Sequence, residues 1–258
     1  MRAPRTRTTT DARSRAIAWA RRRHAIVCDI VEPWEHGTAV RCTAHPGFWD
    51  YNCLRIEGPD PGADADELVA AADRLQEGLL HRRFDVEDEA AGERLRPAFE
   101  ALGWHVSRLV WLGLSDPPPG PALEEVPFEL TRELRLEWAR AEGFSTSERE
   151  YQRQADAEEA VARERDVRAL VARDEEGEPA GYVTFLTDGE TAEVEQAYVS
   201  PALRGRGTGG ALVAAAARAA GASETFIIAD DEGDPKRLYL RLGFRPVWTQ
   251  YEFTRRPG

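Results

Sequence analysis

Short runs of alternating apolar residues and longer stretches with apolar residues at helical spacing succeed one another along the chain. Ala25–Val31, Thr38–Thr43 and Tyr51–Ile56 read as strands, broken at Pro33, Gly37 and Pro46-Gly47. Residues 57–65, EGPDPGADA, read as a loop. Asp66–Leu80 reads as a helix with Leu68, Ala72, Leu75 and Leu79 on one stripe. Arg83–Val86 follows as a short strand, Glu89–Leu102 as a helix carrying Pro97, and His105–Leu114 as a strand. DPPPGP at Asp116–Pro121 is the clearest linker.

Beyond the linker, Glu125–Leu130 reads as a strand. Thr131 is placed to cap a helix with Leu134, Trp138 and Ala141 at core spacing. Ser147 and Glu150 have capping-box spacing and open a second helix to about Arg163. The charges from Arg163 to Arg173 read as solvated. Val167–Ala172, Ala180–Leu186 and Thr191–Val199 are strands, the last two joined by a hairpin at Asp188-Gly189. Gly210–Ala220 is helical, with Gly221 as its stop, and Thr225–Ala229 is a strand. Asp234 then caps a helix with Pro235 in its first turn, ending at Gly243, and Pro246–Thr254 closes the chain's last domain as a strand.

The stretch with the most chemistry is RGRGTGG, Arg204–Gly210, set between a strand and a helix. The first-turn amides of a helix lack intrahelical partners, and the helix dipole favours an anion beside them. Glycines at 205, 207 and 209 let backbone approach that anion, and Arg204 and Arg206 add positive charge. The Lys-Ser/Thr ending of a P-loop and the wider GxGxxG spacing are both absent. A plain connecting turn, or an RG-type contact to nucleic acid, is the alternative.

The form Arg204-x-x-Gly207-x-Gly209, after a strand and at a helix start, resembles motif A of the GNAT superfamily of N-acetyltransferases. Tyr239-Leu-Arg-Leu-Gly-Phe244 is similar to that family's motif B, and the order of elements from Leu123 to Thr254 is the family's order. The resemblance implies an α/β (α+β) fold with a mixed central sheet flanked by helices, and acetyl-CoA as co-substrate without a metal. It implies that the strand before the loop bulges and parts from its neighbour to admit the pantetheine arm. Tyr198 and Val199 would then offer backbone contacts, and Arg204, Gly205, Arg206, Gly207, Thr208, Gly209 and Gly210 would hold the pyrophosphate. Tyr239 would protonate or hydrogen-bond the coenzyme sulfur. Glu193 and Glu195, two apart on one strand, share a face. One of them would take the proton of the amine, with Glu195 slightly preferred.

The two halves of the chain also resemble each other. Phe99–Trp104 parallels Tyr239–Phe244, Leu68–Ala72 parallels Leu212–Ala216, and Asn52–Ile56 stands as Glu195–Val199 does. In the first half the loop is EGPDPGAD, whose prolines lack N–H donors; its Glu57, Asp60 and Asp64, with Asp66 just beyond it, would repel a pyrophosphate. The expected organisation is therefore a disordered basic tail at 1–23, a degenerate GNAT-like domain at 24–115, a linker at 116–122 and a GNAT acetyltransferase domain at 123–258. The first domain is expected to bind no coenzyme.

Composition narrows the partners. The net charge is −12, yet the first 23 residues hold eight arginines against one aspartate, leaving the rest near −19. Such an acidic body disfavours nucleic acid and leans toward cationic substrates. A small-molecule or peptide amine is the expected acceptor, and a homodimer is compatible with the sequence. No apolar run approaches a membrane span. Cys28, Cys42 and Cys53 lack a CxxC spacing and read as reduced thiols in a cytoplasmic protein. Lys236 is the only lysine, which reads as bacterial codon bias. The five histidines all lie in the first half, without metal spacing. A transferase is the favoured class, with a non-catalytic acyl-CoA-responsive binding module as the alternative.

Overall fold

The computed structural model describes residues 9–143 and 147–256. The chain forms two compact units, one of Met1–Trp111, Ala229–Gly233 and Pro246–Gly258, the other of Leu112–Ile228 and Asp234–Arg245.

The first unit opens with helix α1 (Thr9–Val27). The expected disordered tail is therefore corrected from Thr9 onward; residues 1–8 lie outside the described residues. Ala16, Trp19, Ala20, His24 and Val27 are buried, at three- and four-residue spacing. The arginines between them masked that stripe: their long stems and charged heads coexist with a buried face on the same helix. Ala25–Val27 is thus helix, not strand. Strands β1 (Ile30–Trp34), β2 (Gly37–Arg41) and β3 (Cys53–Ile56) follow, with β2 paired antiparallel to each of the others. Helix α2 (Ala65–Leu75) ends earlier than its apolar stripe suggests and leads to β4 (Arg82–Val86), parallel to β3. Helix α3 (Glu89–Ala101) contains Pro97, and β5 (His105–Leu114) leaves the unit.

The second unit begins with β6 (Glu124–Val126), shorter than expected because Phe128–Thr131 turns as a 3-10 segment. The Thr131 hydroxyl donates to the Phe128 carbonyl at 2.7 Å and does not cap α4 (Arg132–Glu142). Helix α5 (Glu148–Glu164) precedes strands β7 (Arg168–Arg173), β8 (Pro179–Thr187) and β9 (Thr191–Val199). Helix α6 (Thr208–Ala220), β10 (Glu224–Asp230), α7 (Pro235–Arg241) and β11 (Arg245–Arg255) complete the chain. β6, β7, β8 and β9 are antiparallel in turn, and β10 is parallel to β9. Gly181 lies toward Leu212 of α6, while its neighbour Tyr182 packs with Leu134 of α4. Adjacent strand residues face opposite ways, so α6 and α4 cover opposite faces.

Each unit repeats the order of two antiparallel strand pairs, a helix, a parallel strand and a helix. The last strand departs from expectation. β11 does not close the second unit: it pairs antiparallel with β4, from Tyr251 opposite Val86 to Arg255 opposite Arg82. Its apolar side puts Tyr251 and Phe253 into the first unit's core with Phe84, Leu95, Phe99 and Trp104. Gly92 of α3 is needed there, since a Cβ would meet the Tyr251 ring at 2.1 Å. Short-range pattern gives a strand but not its partner, which is why this assignment was not legible.

Candidate functional site

β9 carries two irregularities next to each other. Against β8, Thr184 faces Gln196 and Phe185 faces Val194, so Glu195 is an extra, unpaired residue, a β-bulge. Against β10, pairing runs from Thr191 to Val194 and stops. Past that point β9 continues to Val199 with no β10 partner among the described residues. This agrees with the parting of strands that the family resemblance implies.

The loop after β9 is held at both ends. Ser200 N–H donates to the Ala180 carbonyl at 2.9 Å, and Pro201–Leu203 forms a 3-10 turn. Gly205 and Gly207 take left-handed conformations, φ +76° and +81°, which side chains disfavour. Gly207 is the N-cap of α6, and the first intrahelical bond runs from Ala211 to the Gly207 carbonyl at 3.1 Å. The amides of Thr208, Gly209 and Gly210 therefore precede any helical acceptor. The Thr208 hydroxyl donates to the Leu203 carbonyl at 3.3 Å and braces the loop. Leu238 of α7 and Leu242, the residue that caps it, lie on this end of α6: a Cβ on Gly210 would meet them at 3.4 and 3.8 Å.

The two loop arginines differ. Arg204 turns back, donating from Nε to the Val199 carbonyl at 3.0 Å with its guanidinium 5.7 Å from the Tyr198 ring centre. One of the two expected backbone contacts is thus taken up by the chain itself. Arg206 is exposed and only 3.8 Å-paired with an exposed Glu175, so its charge is available at the loop. Burial first, then a hydrogen bond to Glu137 of α4, pushes the Tyr198 phenol up from its ordinary value.

Tyr239 lies on α7 with its ring centre 6.2 Å from that of Phe244. Burial pushes its phenol up from its ordinary value. Glu193 is buried in β9, opposite Leu186 of β8 and Phe226 of β10. Glu195 accepts a hydrogen bond from Arg165, which follows α5 and whose side chain is 4% exposed. Arg165 is thus enclosed, contrary to the expectation that the charges from Arg163 to Arg173 are solvated. Glu137 and Arg165 are the charged residues of this face that no sequence signal marked, because each acts through one partner distant in sequence.

The corresponding place in the first unit is built differently. β3 and β4 stay paired to Ile56 opposite Val86, and Glu87 N–H extends the ladder to the Ile56 carbonyl at 3.0 Å. Asp64 Oδ1 accepts from the Glu67 amide at 2.9 Å, so an aspartate fills the anion position at the start of α2. Asp60 binds Arg94 through both oxygens, at 2.7 and 2.6 Å, and is held below the usual carboxylate range by it.

Residues 165–246 match the family model described as an acetyltransferase (GNAT) domain. No curated protein matches the sequence. Among solved structures, a functionally unknown conserved protein from Staphylococcus epidermidis ATCC 12228 is similar over 90% of this chain and 96% of its own, at 16% identity and a TM-score of 0.72. A tandem GNAT protein from the clavulanic acid biosynthesis pathway is similar over 77% of this chain and 72% of its own, at 17% identity and a TM-score of 0.49. A GCN5-related N-acetyltransferase from Sphaerobacter thermophilus covers 75% of this chain and 66% of its own, at 19% identity and a TM-score of 0.48. No described helix is long and apolar enough to cross a membrane. The glycine loop, the bulged strand and the family match fall on one segment, so residues 165–246 form a GNAT-type acetyltransferase domain.

Proposed function

We propose that the second unit is an N-acyltransferase that moves the acetyl group of acetyl-CoA to a primary amine, a small molecule or a peptide. The observation that supports it most is the coincidence of the Glu195 bulge, the end of β9–β10 pairing at Val194 and the left-handed Gly207 opening α6. Amides of 208–210, with Arg206 beside them, suit a diphosphate. Around Tyr198, β9 is paired with β8 alone, and its other side, past the end of β10 pairing at Val194, suits the amide-rich pantetheine arm, which would add to it as a strand edge does.

In this reading Glu193 or Glu195 takes a proton from the acceptor ammonium, leaving a neutral amine. The new C–N bond forms as the C–S bond breaks, Tyr239 gives its proton to the departing sulfur, and the proton then lost from the amide nitrogen restores the phenol. The half-buried phenol, a proton donor at neutral pH, suits that role. Holding donor and acceptor together supplies most of the rate advantage. No role is assigned to a metal or to nucleic acid, and Cys28, Cys42 and Cys53, none of them in a disulfide, suit a cytoplasmic setting. One observation favours a non-catalytic acyl-CoA-responsive module: Glu195 is already bound by Arg165. Purified full chain, acetyl-CoA and a panel of amines separate the two. Thiol release dependent on one amine supports transfer; CoA binding with no release on any amine supports the module, and no CoA binding overturns both.

A further inference from the structure

The bulge has an anchor outside its own sheet strand pair. α5 ends at Glu164, and Arg165 N–H still bonds the Val161 carbonyl at 3.0 Å. Asp166 then takes φ +55°, the one non-glycine residue with positive φ among the described residues. Such a conformation costs about 1 kcal/mol for a residue with a side chain. Val167 N–H reaches back to the Ala162 carbonyl at 2.8 Å, which fixes this corner. The consequence is a sharp turn from α5 into β7, with the Arg165 side chain directed into the protein and its guanidinium on the Glu195 carboxylate. Glu195 is the residue without a partner in β8, next to the last residue paired with β10.

We propose that the Arg165–Glu195 pair is the clamp that holds the β9 bulge, so that Arg165 is a positioning residue for the donor-binding cleft and Glu195 serves the cleft's shape and not proton transfer. The inference rests on the acyl-CoA reading of that cleft. A bulge adds a residue to one strand without adding a ladder bond, and the strand can regain pairing by slipping one residue. A charge-assisted bond from an enclosed guanidinium penalises that slip, since it would leave the guanidinium without its carboxylate. Proton transfer then falls to Glu193, three residues from Gln196 on the far side of the bulge.

The test uses the full chain, free CoA as the probe for calorimetry, and the variants Arg165→Gln, Glu195→Gln and Arg165→Lys. Weakening of CoA binding on the order of tenfold in both glutamine variants, with partial recovery in Arg165→Lys, is the expected result. Amide exchange over residues 194–199 should rise in the same variants while α6 stays protected. Should Arg165→Gln fail to fold, the near-isosteric Glu195→Gln carries the test alone. CoA affinity and exchange unchanged in Glu195→Gln would overturn the clamp. So would loss of the acid limb of the turnover profile in Glu195→Gln with CoA affinity intact, because Glu195 would then be the base. If the wild-type chain takes up no CoA while exchange over 194–199 still rises in the variants, the clamp stands and the acyl-CoA reading fails.

Discussion

Replacing Gly207 by alanine isolates the backbone argument from everything else. A Cβ at this position would meet nothing within 4 Å, so no steric clash is introduced. The whole penalty lies in φ +81°, ψ 1°, which costs an alanine about 1–2 kcal/mol. The folded unit either bears this cost or relaxes it by turning the first amides of α6 away from their present direction. In the first case thermal unfolding should fall by a few degrees. In the second, CoA affinity should fall by roughly 5- to 30-fold, the same free energy expressed in binding. Gly209→Ala is the control. It is two residues into α6, its φ is ordinary, and its Cβ would sit 3.7 Å from Leu238 and 3.8 Å from Val199. Helix propensity alone should make that variant more stable by up to about 1 kcal/mol. Calorimetric titration with CoA and a melting curve on each variant decide the matter. Equal CoA affinity and melting in Gly207→Ala and wild type, or equal damage from both substitutions, would refute the reasoning.

Tyr239→Phe should lower turnover with little change in CoA affinity, as steady-state kinetics on an accepted amine would show; an unaltered rate contradicts the assigned role. CoA should bind with a stoichiometry of one per chain, because Asp64 caps α2 and β3 stays zipped to β4; titration to two would contradict this. His24 is buried between the Asp50 carbonyl, which accepts from Nε2 at 2.8 Å, and Arg55, which donates to Nδ1 at 3.1 Å. Burial first, then Arg23, pushes its imidazole down to about 3. Between that value and the ordinary 6.5 the unfolded chain binds the extra proton, so this contribution to stability is lost as pH falls through the window. By pH 5 the loss should be about 2 kcal/mol, and denaturant melts of His24→Gln should lack that slope.

The strands, most helices and the glycine loop were legible because each is a local pattern: alternation, helical stripe, cap or turn residue. What escaped depends on residues far apart in sequence. The face of α1 was hidden by arginines that neutralise carboxylates elsewhere, as Arg21 does at Glu87 with bonds of 2.7 and 2.6 Å. The i, i+2 argument for Glu193 and Glu195 assumed unbroken alternation, and the bulge between them removes that assumption. Arg165 looked solvated because a charged run is usually solvated; its burial follows from one tight corner at Asp166. The partner of β11 follows from pairing across most of the chain's length, which no window of sequence contains.

The placement of β11 beside β4 has a bearing on biosynthesis. A ribosome delivers the amino-terminal half long before it delivers Tyr251 and Phe253, so the earlier half must wait with one flank of β4 bare and its aromatic centre short of two rings. Cutting the gene at Asp116–Pro121 would yield an amino-terminal fragment that clumps, rescued by supplying the carboxy-terminal piece in the same cell. Nascent molecules thus stay vulnerable until β11 is made, and that one strand governs whether the earlier unit settles.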